Sequence, residues 1–279
     1  MLWKEKDESK FEWIIKMIAT VMIVGWAYQT GRWDWISYYV RYVLILLLFV
    51  SIFFSWKKRI QLPFYIKLTR KQKINTGIYA VLIIVFGIYN VSAITGYSTQ
   101  QQAIELSFPL KNGNYYVAHG GSDTQLNYHN AYEPQQFALD IVELNGFGSR
   151  AAGFYPQELN KYMIYGETLY SPCDGEVLES RSHLPDLNPS EMDAEHPEGN
   201  YVAMSCDDND DAVVYIAHMQ KDSVKVSEGD SVKKLEPIGL VGNSGNTSEP
   251  HLHIHAEKNG IGIPIQFDGE FLIRNSLMK

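Results

Sequence analysis

The sequence predicts a membrane anchor of several helices followed by a mainly antiparallel β domain. Three observations carry that expectation: long apolar runs confined to the first part of the chain, a reversal of charge beyond them, and a C-terminal stretch with histidines at alternate positions.

The apolar runs are "WIIKMIATVMIVGWAY" (13–28), "WISYYVRYVLILLLFVSIFF" (35–54) and "IYAVLIIVFGIYNVSAITGY" (78–97). The second and third reach the roughly 20 residues needed to cross a bilayer. The first is shorter and carries Lys16, whose ammonium must snorkel from near a helix end. A secretory signal peptide is the rival reading, since basic residues precede this run. No small-x-small cleavage site follows it, and the bulky "GWAYQTGRWDW" favours an uncleaved helix. Residues 1–97 are therefore expected to form three transmembrane helices.

Charge sets the orientation. Residues 1–97 hold 13 of the 24 Lys and Arg but 5 of the 32 Asp and Glu, which leaves 11 basic against 27 acidic residues in 98–279. The net charges are +8 and −16, and the summed −8 hides two different regions. Between the second and third runs, "KKRIQLPFYIKLTRKQK" (57–73) has seven basic residues and no acid, which keeps this loop in the cytoplasm. The third helix then exits, so residues 98–279 face away from the cytoplasm. The connector "QTGRWD", short and nearly neutral, is expected to be an outer hairpin. The −16 of the outer region disfavours nucleic acid as a partner. Topology and anionic lipid account for the basic loop, so the lipid bilayer is the expected partner of residues 1–97.

From about residue 98 short apolar runs are broken by Gly, Pro, Asn and Asp, as in "TLYSPCDGEVLES", "GNYVAMSC" and "DAVVYIAHM". Such spacing predicts strands joined by turns in an antiparallel β domain, and no long amphipathic helix interrupts it. The stretch "RSHLPDLNPSEMDAEHPEGN" (181–200) has three prolines, five acids and no periodicity, so it reads as a surface loop. His183 and His196 lie in it and are assigned no role. Cys173 and Cys206 are the only cysteines. An exported location permits a disulfide between them, while two cysteines in β runs are also often small core residues. No C-x-x-C spacing indicates a cysteine zinc site.

The stretch "PHLHIHAE" (250–257) holds three of the eight histidines. In a helix His251 and His255 would share a face and His253 would point away; in a strand all three share one face. Leu252, Ile254 and Ala256 alternate with them, so a strand sends the aliphatic side chains to a core and aligns the imidazoles. A solvated polar face is the bland alternative. Other polar groups interrupt apolar runs nearby in the domain: Asp140 in "FALDIV", His218 at the end of "VVYIAHM", and His129 in "NYHN". A carboxylate buried as Asp140 would be must be paired or bound to a cation. Together these residues supply two nitrogens and one oxygen for a metal with an open position, and spare imidazoles for proton transfer. Mixed His and Asp ligation suits zinc, although such donors also take other first-row metals.

The order His and Asp, then "Y-x-A-H", "G-D-x-V-x-x-x-x-x-I-G-x-x-G-N-S-G" and "P-H-L-H" resembles the M23 (LytM-type, lysostaphin-like) zinc metallopeptidases over roughly residues 105–265. The resemblance implies a duplicated-hybrid-motif β sandwich or barrel and one Zn2+ per chain. It also implies hydrolysis of peptide bonds in bacterial cell-wall peptidoglycan by a hydrolase facing outward from the cytoplasmic membrane. Carried over, His253 binds metal, while His251 and His218 are catalytic and flank the bound water. The chain departs from the family at the first ligand. The familiar H-x-x-x-D would place a histidine four residues before Asp140, where Gln136 stands. His129, eleven residues before Asp140, must then reach the metal with Asp140 and His253 from a longer loop; His119 is the alternative, and a site lacking one ligand the third possibility. His255 stands where many members have Glu and is expected to give a supporting hydrogen bond.

Two weaker signals remain. "GNSGNTSEP" (242–250) is Gly-rich, but no Lys and no helix pattern follow, so it reads as a turn shaping the cleft. "VSEGDSVKKLEPIG" resembles the hairpin of lipoyl and biotinyl carriers without their exposed lysine motif. The rival to an enzyme is a catalytically silent member that serves as scaffold or regulator of another cell-wall enzyme.

Overall fold

The computed structural model describes residues 7–279. Residues 1–6, with part of the basic stretch ahead of the first apolar run, lie outside that range. The chain divides into two compact units: Met1–Gly31 with Tyr39–Thr95, and Arg32–Tyr38 with Gly96–Lys279.

The first unit contains helices α1 (Lys10–Thr30), α2 (Val40–Arg59) and α3 (Arg70–Thr95). Each is long and apolar enough to cross a membrane. The Ser9 hydroxyl caps α1 by accepting the Glu12 N–H at 3.3 Å. Leu46, Phe49, Ile84 and Ile88 are more than half exposed, as side chains facing lipid would be. Polar contacts tie the helices to one another. Gln29 donates to Asn90 Oδ1 at 2.7 Å, Asn90 donates to the Met22 carbonyl at 2.8 Å, and the Trp13 indole donates to Ser55 at 3.0 Å. Lys16 is buried, and its ammonium reaches back to Asp7 at 2.7 Å, a carboxylate also paired with Arg59. An ion pair at the start of α1 thus takes the place of open snorkelling.

The second unit is mainly antiparallel β structure. Among the described residues its largest sheet has nine strands. Along the main path the order is Leu277–Met278, Tyr115–His119, Leu139–Glu143, Leu252–Lys258, Asn209–Met219, Asn200–Cys206, Gly175–Arg181 and Ser231–Val232. Ile261–Ile263 pairs beside Leu252–Lys258. The two ends of this path do not meet, so the sheet is no closed barrel. Its core holds Val117, Leu139, Ile141, Val202, Met204, Val214, Ile216, Leu252 and Ile254. Cys173 and Cys206, both in that core, form a disulfide with their Cα atoms 5.6 Å apart.

The histidine strand Leu252–Lys258 is central, between Leu139–Glu143 and Asn209–Met219. Leu252, Ile254 and Ala256 point into the core, as the alternation requires. Register then places the other face: His253 lies opposite Asp140 on one side and Ala217 on the other, and His119 lies opposite Asp140 one strand further on. Residues in register on neighbouring strands share a face. The segment 182–199 carries no strand and is pinned across the Gly-rich turn, with Leu187 N–H on the Asn243 carbonyl and Asp193 N–H on that of Gly245, both at 3.0 Å.

Candidate metal centre

Asp140 is the hub of the polar face. It sits in the strand Leu139–Glu143, where apolar neighbours bury it to 4% exposure. His129 reaches it from the 3-10 turn Tyr128–Ala131, which begins at Asn127. The Asn127 side chain accepts the His129 N–H at 3.2 Å and donates to the carbonyls of Gly121 and Ala138, which clamps the turn onto the sheet. His129 Nε2 lies 3.0 Å from Asp140 Oδ2, and His253 Nδ1 lies 2.9 Å from Oδ1. One donor atom from each of His129, Asp140 and His253 lies within 4.8 Å of the others, and all three side chains are buried.

This donor set fits a divalent cation. Two imidazoles and a carboxylate converge in a buried place, and a carboxylate there needs positive charge beside it. Two nitrogens and one oxygen are the donors of open zinc sites. Burial pushes Asp140 towards protonation, but His129 and His251 outweigh it and hold the carboxyl well below its ordinary range. Burial likewise lowers His253 to about 4, so its ring is neutral and able to ligate. A second overlapping group, His218, His251 and His253, also lies within 4.8 Å, but it offers no carboxylate.

His251 and His218 stand beside this group with their rings oriented by the backbone. His251 Nδ1 lies 2.8 Å from the Glu249 carbonyl, and its Nε2 lies 3.4 Å from Asp140 Oδ1. His218 Nδ1 lies 2.9 Å from the Ser244 carbonyl. A carbonyl only accepts, so each Nδ1 carries the proton and each neutral ring has a bare Nε2. Their ring centroids are 4.9 Å apart. Burial, with repulsion from His251 and His253, holds His218 well below the usual histidine range. Burial also pushes His251 down, but attraction to Asp140 outweighs that and raises it.

The Gly-rich turn does the orienting. Ser244 Oγ accepts the Asn200 N–H at 2.8 Å and donates to the Met219 carbonyl at 2.7 Å, which aims its own carbonyl at His218. Gly245 follows at φ +87°, where a Cβ would lie 2.4 Å from the Gly199 nitrogen. His255 gives the expected support: its Nδ1 is 3.0 Å from His253 Nε2, and its ring stacks on Tyr215 at 4.7 Å.

Among the described residues, Gln136, His119 and His196 belong to neither donor group. Gln136 turns its amide to the Gly262 carbonyl at 3.0 Å. His119 has Arg274 Nη2 2.7 Å from Nδ1 and Arg32 Nη1 3.3 Å from Nε2, and belongs to neither donor group. His196 pairs with Asp193. Two adjoining lobes form the cleft. One is lined by Arg32, His119, Asp140 and His251, the other by His129, Glu198, His218 and His255, with Tyr128 and Asn246 shared by both. Three further residues of the cleft are not evident from the sequence: Tyr128, which packs on His129 with ring centroids 4.0 Å apart, and the paired Arg32 and Glu249. The one signal for Arg32 was an Arg and an Asp two residues apart, flanked by tryptophans, in a connector too short to need them.

A comparison with curated proteins found no match. Among solved structures, a zinc-containing peptidase from Vibrio cholerae is 19% identical with a TM-score of 0.36, covering 58% of this chain and 39% of its own. A putative peptidase M23 from Pseudomonas aeruginosa is 15% identical with a TM-score of 0.34, covering 64% and 57%. The catalytic domain of lysostaphin from Staphylococcus simulans is 21% identical with a TM-score of 0.24, covering 43% and 81%. The chain thus spans 39% and 57% of the first two proteins. The family model of peptidase family M23 matches residues 161–264, a stretch that contains His218, His251 and His253 but ends short of His129 and Asp140 on the N-terminal side. The match to peptidase family M23 thus lies wholly within the β unit.

Proposed function

We propose that the chain is a membrane-anchored zinc metallopeptidase that hydrolyses peptide bonds of bacterial cell-wall peptidoglycan. The observation that carries this reading is the convergence of His129, Asp140 and His253 beside two imidazoles whose Nδ1–H groups are tied to backbone carbonyls. One zinc ion per chain, held by those three residues, supplies a Lewis acid that polarises a carbonyl and acidifies water. The bare Nε2 of His218 or His251 takes the proton of the attacking water and returns it to the leaving amine. The other ring, once protonated, donates a hydrogen bond to the developing oxyanion. His255 holds the His253 ring in place through its second nitrogen.

Location supports the substrate. Three apolar helices supply an anchor in the cytoplasmic membrane, and the Cys173–Cys206 disulfide belongs to an oxidising side. The connector Arg32–Tyr38 and the region from Gly96 onward form one unit, which agrees with an outward β unit and an inward basic loop at 57–73.

The test uses full-length protein, wall-derived peptides, and release of new amines alongside zinc content. His218→Ala and His251→Ala should keep zinc and lose about 10²–10⁴-fold in rate. His255→Ala should cost less. Should His251→Ala cleave as well as wild type, the proton-transfer role is wrong. Loss of zinc from His218→Ala would instead move the metal to the three-histidine group.

A further inference from the structure

The connector Arg32–Tyr38 joins α1 to α2 in sequence, yet it folds as part of the β unit. Arg32 is fixed there by buried acids. Its Nε lies 2.9 Å from Asp34 Oδ1, and its Nη2 lies 2.7 Å from Asp34 Oδ2 and 2.9 Å from Glu249 Oε1. Asp34 is fully buried and Glu249 is 4% exposed. Arg150 completes the network with Nε 2.7 Å from Glu249 Oε2, and Trp35 covers the Arg150 guanidinium at 4.1 Å. These contacts use three of the five N–H groups of Arg32 and leave both on Nη1.

Nη1 points at His119 Nε2 from 3.3 Å, while Arg274 Nη2 approaches His119 Nδ1 from the other side at 2.7 Å. Guanidinium groups only donate, and a neutral imidazole accepts at one nitrogen alone. With a guanidinium cation facing each of its nitrogens, the ring is neutral. The shorter contact is the hydrogen bond; at the longer one, an N–H of His119 meets an N–H of Arg32. Two donors therefore converge without an acceptor, in the same lobe of the cleft as Asp140 and His251. The carboxylates in that lobe do not fill the need: Glu249 is held by the two arginines, and Asp140 by its histidines.

We propose that Arg32 Nη1 and His119 Nε2–H form a carboxylate subsite next to the reaction centre. On the peptidase reading, the substrates are then peptides that carry a carboxylate beside the scissile bond. That carboxylate is either a chain terminus or an acidic side chain. Its oxygen accepts from both groups and removes the donor conflict. The connector Arg32–Tyr38 thereby contributes a specificity residue to the cleft of the β unit.

The test is binding to full-length protein stripped of metal, so that a metal ion cannot itself capture the carboxylate. One probe pair is acetyl-Ala-Ala-Ala and its C-terminal amide; the other is amide-ended acetyl-Ala-Glu-Ala and acetyl-Ala-Gln-Ala. One of the two pairs should show a preference of about 10-fold or more for the carboxylate member, and which pair does so identifies the source. Arg32→Gln should abolish that preference. Because this variant also disturbs the pairing of Asp34 and Glu249, His119→Ala, which leaves those pairs intact, is the second variant and should reduce the preference several-fold. No preference in the wild type for either pair overturns the subsite, as does a preference that survives in Arg32→Gln. Hydrolysis by zinc-loaded protein is measured separately. A carboxylate preference without hydrolysis keeps the subsite and ends the peptidase reading, and hydrolysis without preference does the reverse.

Discussion

His129 meets Asp140 because a 3-10 turn clamped by Asn127 carries it there, eleven residues ahead in sequence. A four-residue spacing would present histidine and aspartate from one short segment; here the longer spacing is closed by the backbone bonds of the turn. His119 is nearer in register, directly opposite Asp140, yet both of its ring nitrogens face arginines. On the proposed ligand set, His129→Ala leaves an incomplete shell and should lose tight zinc binding, and His119→Ala should keep it. Zinc measured in the purified variants decides this, and stoichiometric metal in His129→Ala would contradict the ligand assignment. At this scale the sequence showed residue types well. His251, His253, His218 and Asp140 were legible because each interrupts an apolar run or repeats with a strand's period. Arg32 was not, because its partner Glu249 lies 217 residues away and no local pattern records such a pairing.

The histidine strand was legible as an element for a physical reason: alternation of three imidazoles with Leu252, Ile254 and Ala256 suits only an extended backbone with one face in a core. The three apolar runs were equally legible, since length and composition alone define a span. What failed to show was the role of the connector between the first two helices. Its short 3-10 turn Trp33–Trp35 reads as a plain hairpin, and its fold depends on Arg150 and Glu249 from distant segments. The orientation of the helices is open to direct test. On the proposed topology, a reporter active only outside the cytoplasm should be active when fused after Tyr97 and silent after Lys73, because seven basic residues favour a cytoplasmic 57–73 loop. The opposite pattern would put the β unit in the cytoplasm and remove the cell wall as substrate.

For the whole molecule, Arg32–Tyr38 groups with Gly96–Lys279 and not with the helices that flank it in sequence. A protein cut to residues 98–279 therefore lacks Arg32 and Asp34, and loses two members of a buried charge network that reaches Glu249. Removing one side of such a network leaves buried charge uncompensated. Function has to be measured on the full chain for that reason. The most direct measurement is zinc content together with amine release from peptidoglycan-derived peptides, for full-length wild type and His253→Ala side by side. One zinc per wild-type chain with hydrolysis, and neither in His253→Ala, is the result predicted. Zinc-loaded wild type that cleaves nothing in a broad panel, or a His253→Ala variant that still cleaves, would contradict it.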